Sequence, residues 1–360
     1  PKFAFAFDID GVLLRSSAPL PGASQALSYL HQEQIPYILL TNGGGKTELA
    51  RITDLNRKLG IDFLHETDIV QSHTPFTQLW GLKSNGMTVL VCGGDRDGAK
   101  EVAKSYGFEN VVTPGDLVVG YPELWPFNAP LKEYYESFAE KLPKPLYSPT
   151  GNPVLDAKKT LKIDAVFVYN DPRDWGLDAS IILDLLLSEK GFLGTLSEKN
   201  GREDLSNCGF LLDGQPHVFF SNPDLWWATS YHLSRLGQGG FQAALKGLWE
   251  RVTEGKASLE RQVTVIGKPT QLTYEFAEQS LREREHVDVK RVYMIGDNLE
   301  SDIAGANGYE SPWGSEWKSV LVKTGVWRDG MEWKENQKPY AIKENVLEAV
   351  KWAVEDAKKK

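Results

Sequence analysis

Two aspartates, Asp8 and Asp10, follow a short segment near the start of the chain in which aromatic and small residues alternate. Phe3, Phe5 and Phe7 alternate with alanine, a period of two that predicts a β-strand. Open α/β sheets bind ligands at the carboxyl ends of their strands, so this carboxylate pair predicts a nucleophile or a metal site. Aspartate is also common in surface turns, so the pair alone does not separate a site from a turn.

Three other short apolar segments also end in polar residues. These segments, with the residues that follow them, are 37–40 with Thr41, Asn42 and Gly43, 263–266 with Lys268, and 291–295 with Asp297 and Asp302. The carboxyl ends of parallel strands meet at one edge of a sheet, so we expect these side chains to lie together. Each motif alone could be a surface turn. Four strand ends with complementary chemistry favour one shared site over four separate turns.

The chemistry that fits this set is phosphoryl transfer through an aspartyl-phosphate. Asp8 is the predicted nucleophile, because carboxylates form such covalent intermediates. Asp10 is the predicted general acid and base, which protonates the leaving alkoxide and then deprotonates the attacking water. Thr41, Asn42 and the Lys268 ammonium are predicted to neutralise the transferring oxygens. Glycines from Gly43 onward allow backbone amides to approach a phosphate.

The same residues predict a Mg²⁺ site. A carboxylate repels a dianionic phosphate, so a divalent cation is needed between them, and the available ligands are all hard oxygens, which favours Mg²⁺ over zinc. The predicted metal residues are Asp8, Asp10 through its backbone carbonyl, and Asp297. Asp302 is predicted to bind the ion or to brace its water ligands.

The fold class is predicted as α/β, with two domains in a chain of 360 residues. Residues 1–81 and 263–360 are predicted to form a Rossmann-like core. Residues 82–262 carry an alternation of strands and helices of their own, so we expect a second α/β domain inserted into the first.

Composition narrows the classes of function. A net charge of −9 argues against a general nucleic-acid-binding protein. No apolar segment reaches the length of about 20 residues that a membrane span needs. Two cysteines leave no disulfide framework and no zinc cluster. The sequence begins at Pro1, so it carries no information about a targeting segment.

The polar motifs resemble, in the right order, the four motifs of the haloacid dehalogenase superfamily. The residues that carry the resemblance are Asp8-x-Asp10-Gly-Val, Thr41-Asn42, Lys268-Pro269 and Gly296-Asp297-x-x-x-x-Asp302. The large insert between the second and third motifs is similar to the C2-type cap of the class IIA branch, as is the motif Ser221–Asp224. The stretch from Val168 to Trp175 looks most similar to the eukaryotic cat-eye-syndrome-region hydrolase family.

This resemblance implies a parallel-sheet core with a cap, Mg²⁺ dependence and phosphatase activity on a small phosphorylated substrate. The second aspartate, Asp10, favours a phosphohydrolase over dehalogenase or ATPase members. Eukaryotic relatives suggest a mitochondrial location, with the cytoplasm as the alternative, and a link to glycerophospholipid metabolism. Class IIA relatives also suggest a homodimer formed through the cap.

Within the insert, Asp171, Arg173, Asp174 and Trp175 are the best candidates for substrate specificity, since a guanidinium binds a carboxylate or a second phosphate in a bidentate way. The alternative is a surface ion-pair cluster with Trp175 in the core. The adjacent tryptophans at 226–227 are expected to pack in a core rather than to form a stacking wall.

Two other functions stay open beside the phosphatase. A phosphomutase uses the same chemistry but needs a bound bisphosphate and a site that excludes water. A binding or scaffold protein would keep the site without useful turnover. All four motifs keep their chemically active residues in this chain, which favours an enzyme.

Overall fold

A computed structural model of the chain describes residues 2–83, 86–227, 231–285 and 288–359. Its backbone contacts divide the chain into two compact units. Unit 1 comprises Pro1–Pro75, Asn222–Leu236 and Ile266–Lys360, and unit 2 comprises Phe76–Ser221 and Gly237–Val265. The limits drawn from the sequence assigned 222–236 to the insert, whereas the contacts group this segment with unit 1.

The strands and helices follow the apolar segments of the sequence. The strands are β1 (Phe3–Phe7), β2 (Leu14–Arg15), β3 (Ala18–Pro19), β4 (Tyr37–Leu40), β5 (Ile69–Val70), β6 (Thr88–Cys92), β7 (Asn110–Val112), β8 (Ala165–Val168), β9 (His217–Phe220), β10 (Trp226–Trp227), β11 (Arg235–Leu236), β12 (Val263–Val265), β13 (Arg291–Gly296), β14 (Glu316–Val322) and β15 (Ala341–Lys343). The α-helices are α1 (Ala23–Gln32), α2 (Glu48–Leu59), α3 (Gly98–Ser105), α4 (Pro114–Gly120), α5 (Lys132–Glu136), α6 (Trp175–Leu187), α7 (Gln238–Val252), α8 (Gln271–Glu285), α9 (Ala304–Gly308) and α10 (Val346–Lys358).

Unit 1 is built on a parallel sheet with the strand order β15-β14-β13-β1-β4-β5. Strand β1 lies between β13 and β4, with Phe5 opposite Tyr293 on one side and Tyr37 on the other. The carboxyl ends of these three central strands are therefore adjacent. This confirms the predicted parallel α/β class and brings the first, second and fourth motifs to one edge.

The alternation in β1 separates two cores. Phe5 and Phe7 pack with α1, α2 and α10 on one face of the sheet. Ala4 and Ala6 face the other side, where Tyr274 of α8 packs. The small alanines leave space for that large ring. The alternation of large and small residues in β1 therefore accounts for the packing of α1, α2 and α10 on one face and of α8 on the other.

Unit 2 has its own parallel sheet, with the order β12-β9-β8-β6-β7. Strand β12 pairs with β9, with Val263 opposite Val218. The prediction that 263–266 is a strand of the core sheet is therefore wrong, although Lys268 two residues beyond Ile266 belongs to unit 1. Local sequence predicts that a strand forms, but the partner strand decides which sheet it joins.

The tryptophans of β10 differ from the expectation. Trp226 and Trp227 are 50% and 51% exposed, so they do not pack in a core. They lie on a two-residue strand paired with β11, a ribbon too short to bury its own side chains. Among the described residues, no helix has the length and apolar character needed to cross a membrane.

The burial of β1 generates a stability prediction. We expect Phe5→Ala to lower the free energy of unfolding by about 3–5 kcal/mol, because Phe5 is fully buried and its removal leaves a cavity. Phe3→Ala is the matched control on the same face, since Phe3 is only partly buried. Urea titration measures both, and equal losses for the two variants would contradict the packing described for β1.

Candidate active site

The predicted site residues of unit 1 lie just beyond the central strands of its sheet. The Asp8 backbone amide continues the ladder by donating to the Ile295 carbonyl at 2.9 Å, and the Thr41 amide donates to the Val70 carbonyl at 3.0 Å. Asp297 directly follows β13. The ladder of hydrogen bonds thus holds Asp8 and Thr41 in a fixed register with the neighbouring strands.

Lys268 connects these strand ends. Its side chain is 1% exposed, and its Nζ donates to Asp8 Oδ1 at 2.7 Å, to Asp302 Oδ1 at 2.7 Å and to the Leu40 carbonyl at 2.8 Å. An ammonium has three protons, so all of them are used. Burial by itself lowers the pKa of Lys268, but the Asp302 and Asp8 carboxylates outweigh it and hold this pKa above its ordinary value.

Three buried carboxylates, those of Asp8, Asp297 and Asp302, each place an oxygen within 4.8 Å of the others. Burial and the neighbouring Asp8 and Asp302 charges raise the pKa of Asp297 well above its ordinary range. Burial also raises the pKa of Asp302, to about 6, against the lowering effect of Lys268. One ammonium among three carboxylates leaves excess negative charge in a buried place, which suits a divalent cation.

The carboxylate of Asp302 is largely occupied by other groups. Its Oδ1 accepts from Lys268, and its Oδ2 accepts from the backbone amides of Asp297 and Asn298, both at 3.1 Å. Asp297 Oδ2 accepts from the Val326 amide at 2.6 Å. Asp302 therefore orients the loop that carries Asp297.

The second motif forms a loop braced from within. The Gly43 amide donates to Thr41 Oγ1 at 2.9 Å. The Asn42 side-chain amide donates to Asp224 Oδ2 at 3.0 Å and to the Lys268 carbonyl at 2.9 Å, while its oxygen accepts from the Lys268 amide at 2.7 Å. Both Asn42 amide protons are used in these bonds, so this side chain ties the loop after β4 to Lys268.

Asp10 is more open than Asp8. The Asp8 side chain is 11% exposed, whereas the Asp10 side chain is 55% exposed and pairs with Arg51 at 3.3 Å. The Asp10 carboxylate does not belong to the buried cluster. An exposed carboxylate next to a buried one suits a group that exchanges protons with a substrate or a water.

Sequence reasoning missed two residues of this region. Asp224 lies in a motif that was assigned to the cap, yet it accepts from Asn42 in unit 1, and burial raises its pKa to about 7. His73 is fully buried, and its Nε2 accepts from the Gly45 amide at 3.2 Å, with its pKa lowered by burial to about 4. Asp224 stands in the motif Ser221–Asp224, which was assigned to the cap from the sequence, and His73 stands in no motif or periodic pattern that points to the site.

His73 belongs to a segment that braces the glycine-rich loop. Gln71 donates to the Lys46 carbonyl at 2.8 Å, and the Ser72 amide donates to the Gly43 carbonyl at 3.3 Å. A neutral imidazole is required for the bond from Gly45, and burial keeps it neutral. These contacts hold backbone that glycines alone would leave free.

The four specificity candidates lie in unit 2, in the loop after β8 and at the start of α6. Asp174 caps α6 by accepting from the Leu177 amide at 3.0 Å. Trp175 is partly buried and packs edge-on against Phe241 with ring centroids 5.7 Å apart. Arg173 is exposed and donates to the Asp171 carbonyl at 2.8 Å.

Comparison with protein families gives two matches. A model described as haloacid dehalogenase-like hydrolase matches residues 5–109, and one described as HAD-hydrolase-like matches residues 265–349. These two ranges carry all four motifs.

Two fungal relatives match nearly the whole chain. A mitochondrial hydrolase of Saccharomyces cerevisiae is 38% identical over 373 aligned positions, covering 97% of this chain and 94% of the relative. A fusion protein of Schizosaccharomyces pombe, named cardiolipin synthase (CMP-forming) / mitochondrial hydrolase, is 37% identical over 97% of this chain and 53% of its own length.

Solved structures confirm the fold. The p-nitrophenyl phosphatase of Archaeoglobus fulgidus has a TM-score of 0.59 at 17% identity and covers 98% of both chains. The glycerol phosphate phosphatase of Mycobacterium tuberculosis, crystallised with calcium, has a TM-score of 0.56 at 18% identity and covers 96% of this chain and 74% of its own. The same enzyme has also been crystallised with magnesium.

Close packing around Asp297 generates a prediction for the site. A Cβ atom at Gly325 would overlap the Asp297 carboxylate, so we expect Gly325→Ala to displace that side chain. Loss of one carboxylate from a cation site weakens binding, so we expect Mg²⁺ to bind about 10–100-fold more weakly to Gly325→Ala than to the wild type in calorimetric titration.

Gly308→Ala is the matched control, because a methyl group added there meets no atom within 4 Å. It should leave Mg²⁺ affinity unchanged. Unchanged affinity in Gly325→Ala, with the fold intact by circular dichroism, would show that Asp297 does not hold the ion.

Proposed function

Because the chain belongs to the haloacid dehalogenase superfamily of hydrolases, we propose that it is a Mg²⁺-dependent phosphatase that hydrolyses a small phosphate monoester through an aspartyl-phosphate on Asp8. The observation that carries this proposal is the position of Asp8. Its carboxylate lies with those of Asp297 and Asp302 and accepts from the Lys268 ammonium, at the carboxyl edge of a parallel sheet.

The residues fit a magnesium ion. The proposed ligands are the carboxylates of Asp8 and Asp297 and the backbone carbonyl of Asp10, with Asp302 bracing the Asp297 loop. All are oxygen donors, which suits Mg²⁺ better than a softer metal. A divalent cation bound there would offset the repulsion between the carboxylates and an incoming phosphate.

The proposed reaction has two steps. An Asp8 carboxylate oxygen attacks phosphorus, and the bond from phosphorus to the ester oxygen breaks as Asp10 gives that oxygen its proton. Water then attacks the phosphorus of the acyl phosphate, Asp10 takes a proton from it, and the bond to Asp8 breaks to release inorganic phosphate. Lys268 stays charged throughout, because its pKa lies above its ordinary value.

The glycine-rich loop supplies the phosphate contacts in this proposal. Thr41 and the backbone from Asn42 to Gly43 would face the transferring oxygens. The Asn42 side chain, whose protons are already donated within the protein, acts instead by positioning Lys268. Preorganised donors of this kind need no rearrangement during the reaction.

The relatives suggest a setting for the substrate. One relative is fused to a cardiolipin synthase, and one structural neighbour is named a glycerol phosphate phosphatase. We therefore propose a phosphate monoester of glycerophospholipid metabolism as the substrate and a mitochondrial location. The resemblance to class IIA enzymes leads us to propose a homodimer formed through unit 2. Fold similarity does not identify a substrate by itself, so a panel of phosphate esters is the direct approach.

Phosphate release tests the proposal. We expect the chain to release inorganic phosphate from at least one of sn-glycerol 3-phosphate, phosphoethanolamine and p-nitrophenyl phosphate in Mg²⁺, and to lose this activity in EDTA. Asp8→Asn should reduce turnover by at least about 10³-fold, because it removes the nucleophile. Asp62→Asn, an exposed aspartate of the same unit, is the control and should keep full activity.

The other outcomes correspond to the two rival functions. Phosphate transfer that depends on an added bisphosphate, with no release to water, would favour the phosphomutase. No turnover on any ester, with Mg²⁺ bound normally, would favour the binding protein. Turnover that survives Asp8→Asn would exclude the aspartyl-phosphate mechanism.

Cation affinity should also depend on pH. Without a cation, the raised pKa values of Asp297 and Asp302 keep protons on the cluster, and a cation must displace them. Affinity for Mg²⁺ should therefore rise as pH increases through about 6, by up to about tenfold per pH unit for each proton released. Calorimetry in two buffers of different ionisation enthalpy measures the protons released, and an affinity that stays flat from pH 5.5 to 8 would contradict this.

A further inference from the structure

Unit 2 contains a small open cavity of about 40 Å³ at the carboxyl edge of its own sheet. The loops after three adjacent strands line it. Gly93 and Gly94 follow β6, Thr113 follows β7, and Arg173 follows β8. Side chains of α5 complete the wall.

The topology of unit 2 places this cavity where ligands bind in doubly wound sheets. The chain runs from β6 to β7 on one side, then crosses to β8 on the other side of β6 and continues to β9 and β12. The strand order therefore reverses at β6. Crevices outside the carboxyl ends of strands at such a reversal are the common ligand sites of open parallel sheets.

The mouth of the cavity carries two guanidinium groups, those of Arg96 and Arg173, and the Asp174 carboxylate also lines the cavity. Arg96 and Arg173 line it, both are exposed, and among the described residues neither forms an ion pair with a carboxylate. Arg96 donates to the Ser137 carbonyl at 3.4 Å, and Arg173 donates to the Asp171 carbonyl, so each guanidinium retains free donors. Two guanidinium groups at one opening suit a phosphate or a carboxylate.

The inner wall of the cavity carries a buried acid with no partner. Asp178 is 5% exposed and lines the cavity, yet its side chain makes no hydrogen bond to any described residue. Burial, with a smaller contribution from Asp174, raises the pKa of Asp178 to about 8. A buried polar group without a partner costs free energy unless something bonds to it. A hydroxyl or amino group of a bound molecule would provide that bond.

We propose that this cavity is a second binding site, which takes a small organic anion whose phosphate or carboxylate lies between Arg96 and Arg173 and whose hydroxyl or amino group reaches Asp178. The inference rests on unit 2 alone and does not require the hydrolysis proposed for unit 1. The ligand is a free effector, distinct from the substrate proposed for unit 1.

Binding of defined probes tests the site. The probes are glycerate, phosphoethanolamine and sn-glycerol 3-phosphate, with glycerol and inorganic phosphate as compounds that lack one of the two required groups. Affinity is measured on the full chain by saturation-transfer NMR and calorimetry. Each probe is measured in EDTA, and again with Mg²⁺ and orthovanadate added to fill the proposed catalytic site.

We expect at least one two-group probe to bind with a dissociation constant near 1 mM or below, about −4 kcal/mol, and more tightly than glycerol or inorganic phosphate. Combining Arg96→Ala with Arg173→Ala should weaken binding by at least about tenfold, because both anion contacts are lost. Asp178→Asn, which keeps the shape of the side chain, should weaken binding several-fold. Arg251→Ala removes one exposed arginine of the same unit outside the cavity and should bind as the wild type does.

Binding that persists with orthovanadate and in Asp8→Asn supports a site in unit 2 for a free effector. Binding that is abolished when Mg²⁺ and orthovanadate are added places the probe in the catalytic site proposed for unit 1 and overturns the proposal. The proposal is overturned if the double variant binds every probe as the wild type does, or if no two-group probe binds better than inorganic phosphate.

Discussion

The site in unit 1 depends on one buried ammonium shared between two carboxylates. Lys268 donates to Asp8 and Asp302 at 2.7 Å and uses its third proton on the Leu40 carbonyl. A buried lysine without these partners would lose its charge, and buried carboxylates without the lysine would take up protons. The charges of the first, third and fourth motifs are therefore mutually dependent, and the third carboxylate, Asp297, remains available to a cation.

Close packing sets the geometry around that charge. Glycines at 11, 296 and 325 lie where any Cβ atom would overlap Asp297 or Asp302. The glycine-rich loop after β4 is braced by His73, Gln71 and Ser72, so its backbone keeps one shape despite its composition. Small residues and a buried brace together let the carboxylates approach one another more closely than ordinary side chains would allow.

Unit 2 repeats the same architectural principle with different chemistry. Its parallel sheet also ends in polar loops, but these carry two arginines, and the adjacent helix α6 adds one buried acid. Asp178 lies in a place where an apolar residue would be more stable. Such a local cost is typical of binding sites, where the ligand supplies the missing partner.

The sequence by itself determined the local elements and the identity of most site residues. A strand's own residues decide how its side chains alternate, so β1 and the short apolar segments before Thr41 and Asp297 can be predicted locally. Together with the order of the motifs, these segments suffice to predict a parallel α/β sheet. The residues predicted at its edge are Asp8, Lys268, Asp297 and Asp302. Tertiary structure decided the rest. It placed β12 in the sheet of unit 2, grouped Asp224 with unit 1, buried His73 beside the glycine-rich loop and directed the Asn42 amide into the protein. Those outcomes depend on hydrogen bonds between residues that are far apart in the chain. Asn42 and Asp224, for example, are separated by 182 positions, and no local periodicity predicts such a pairing.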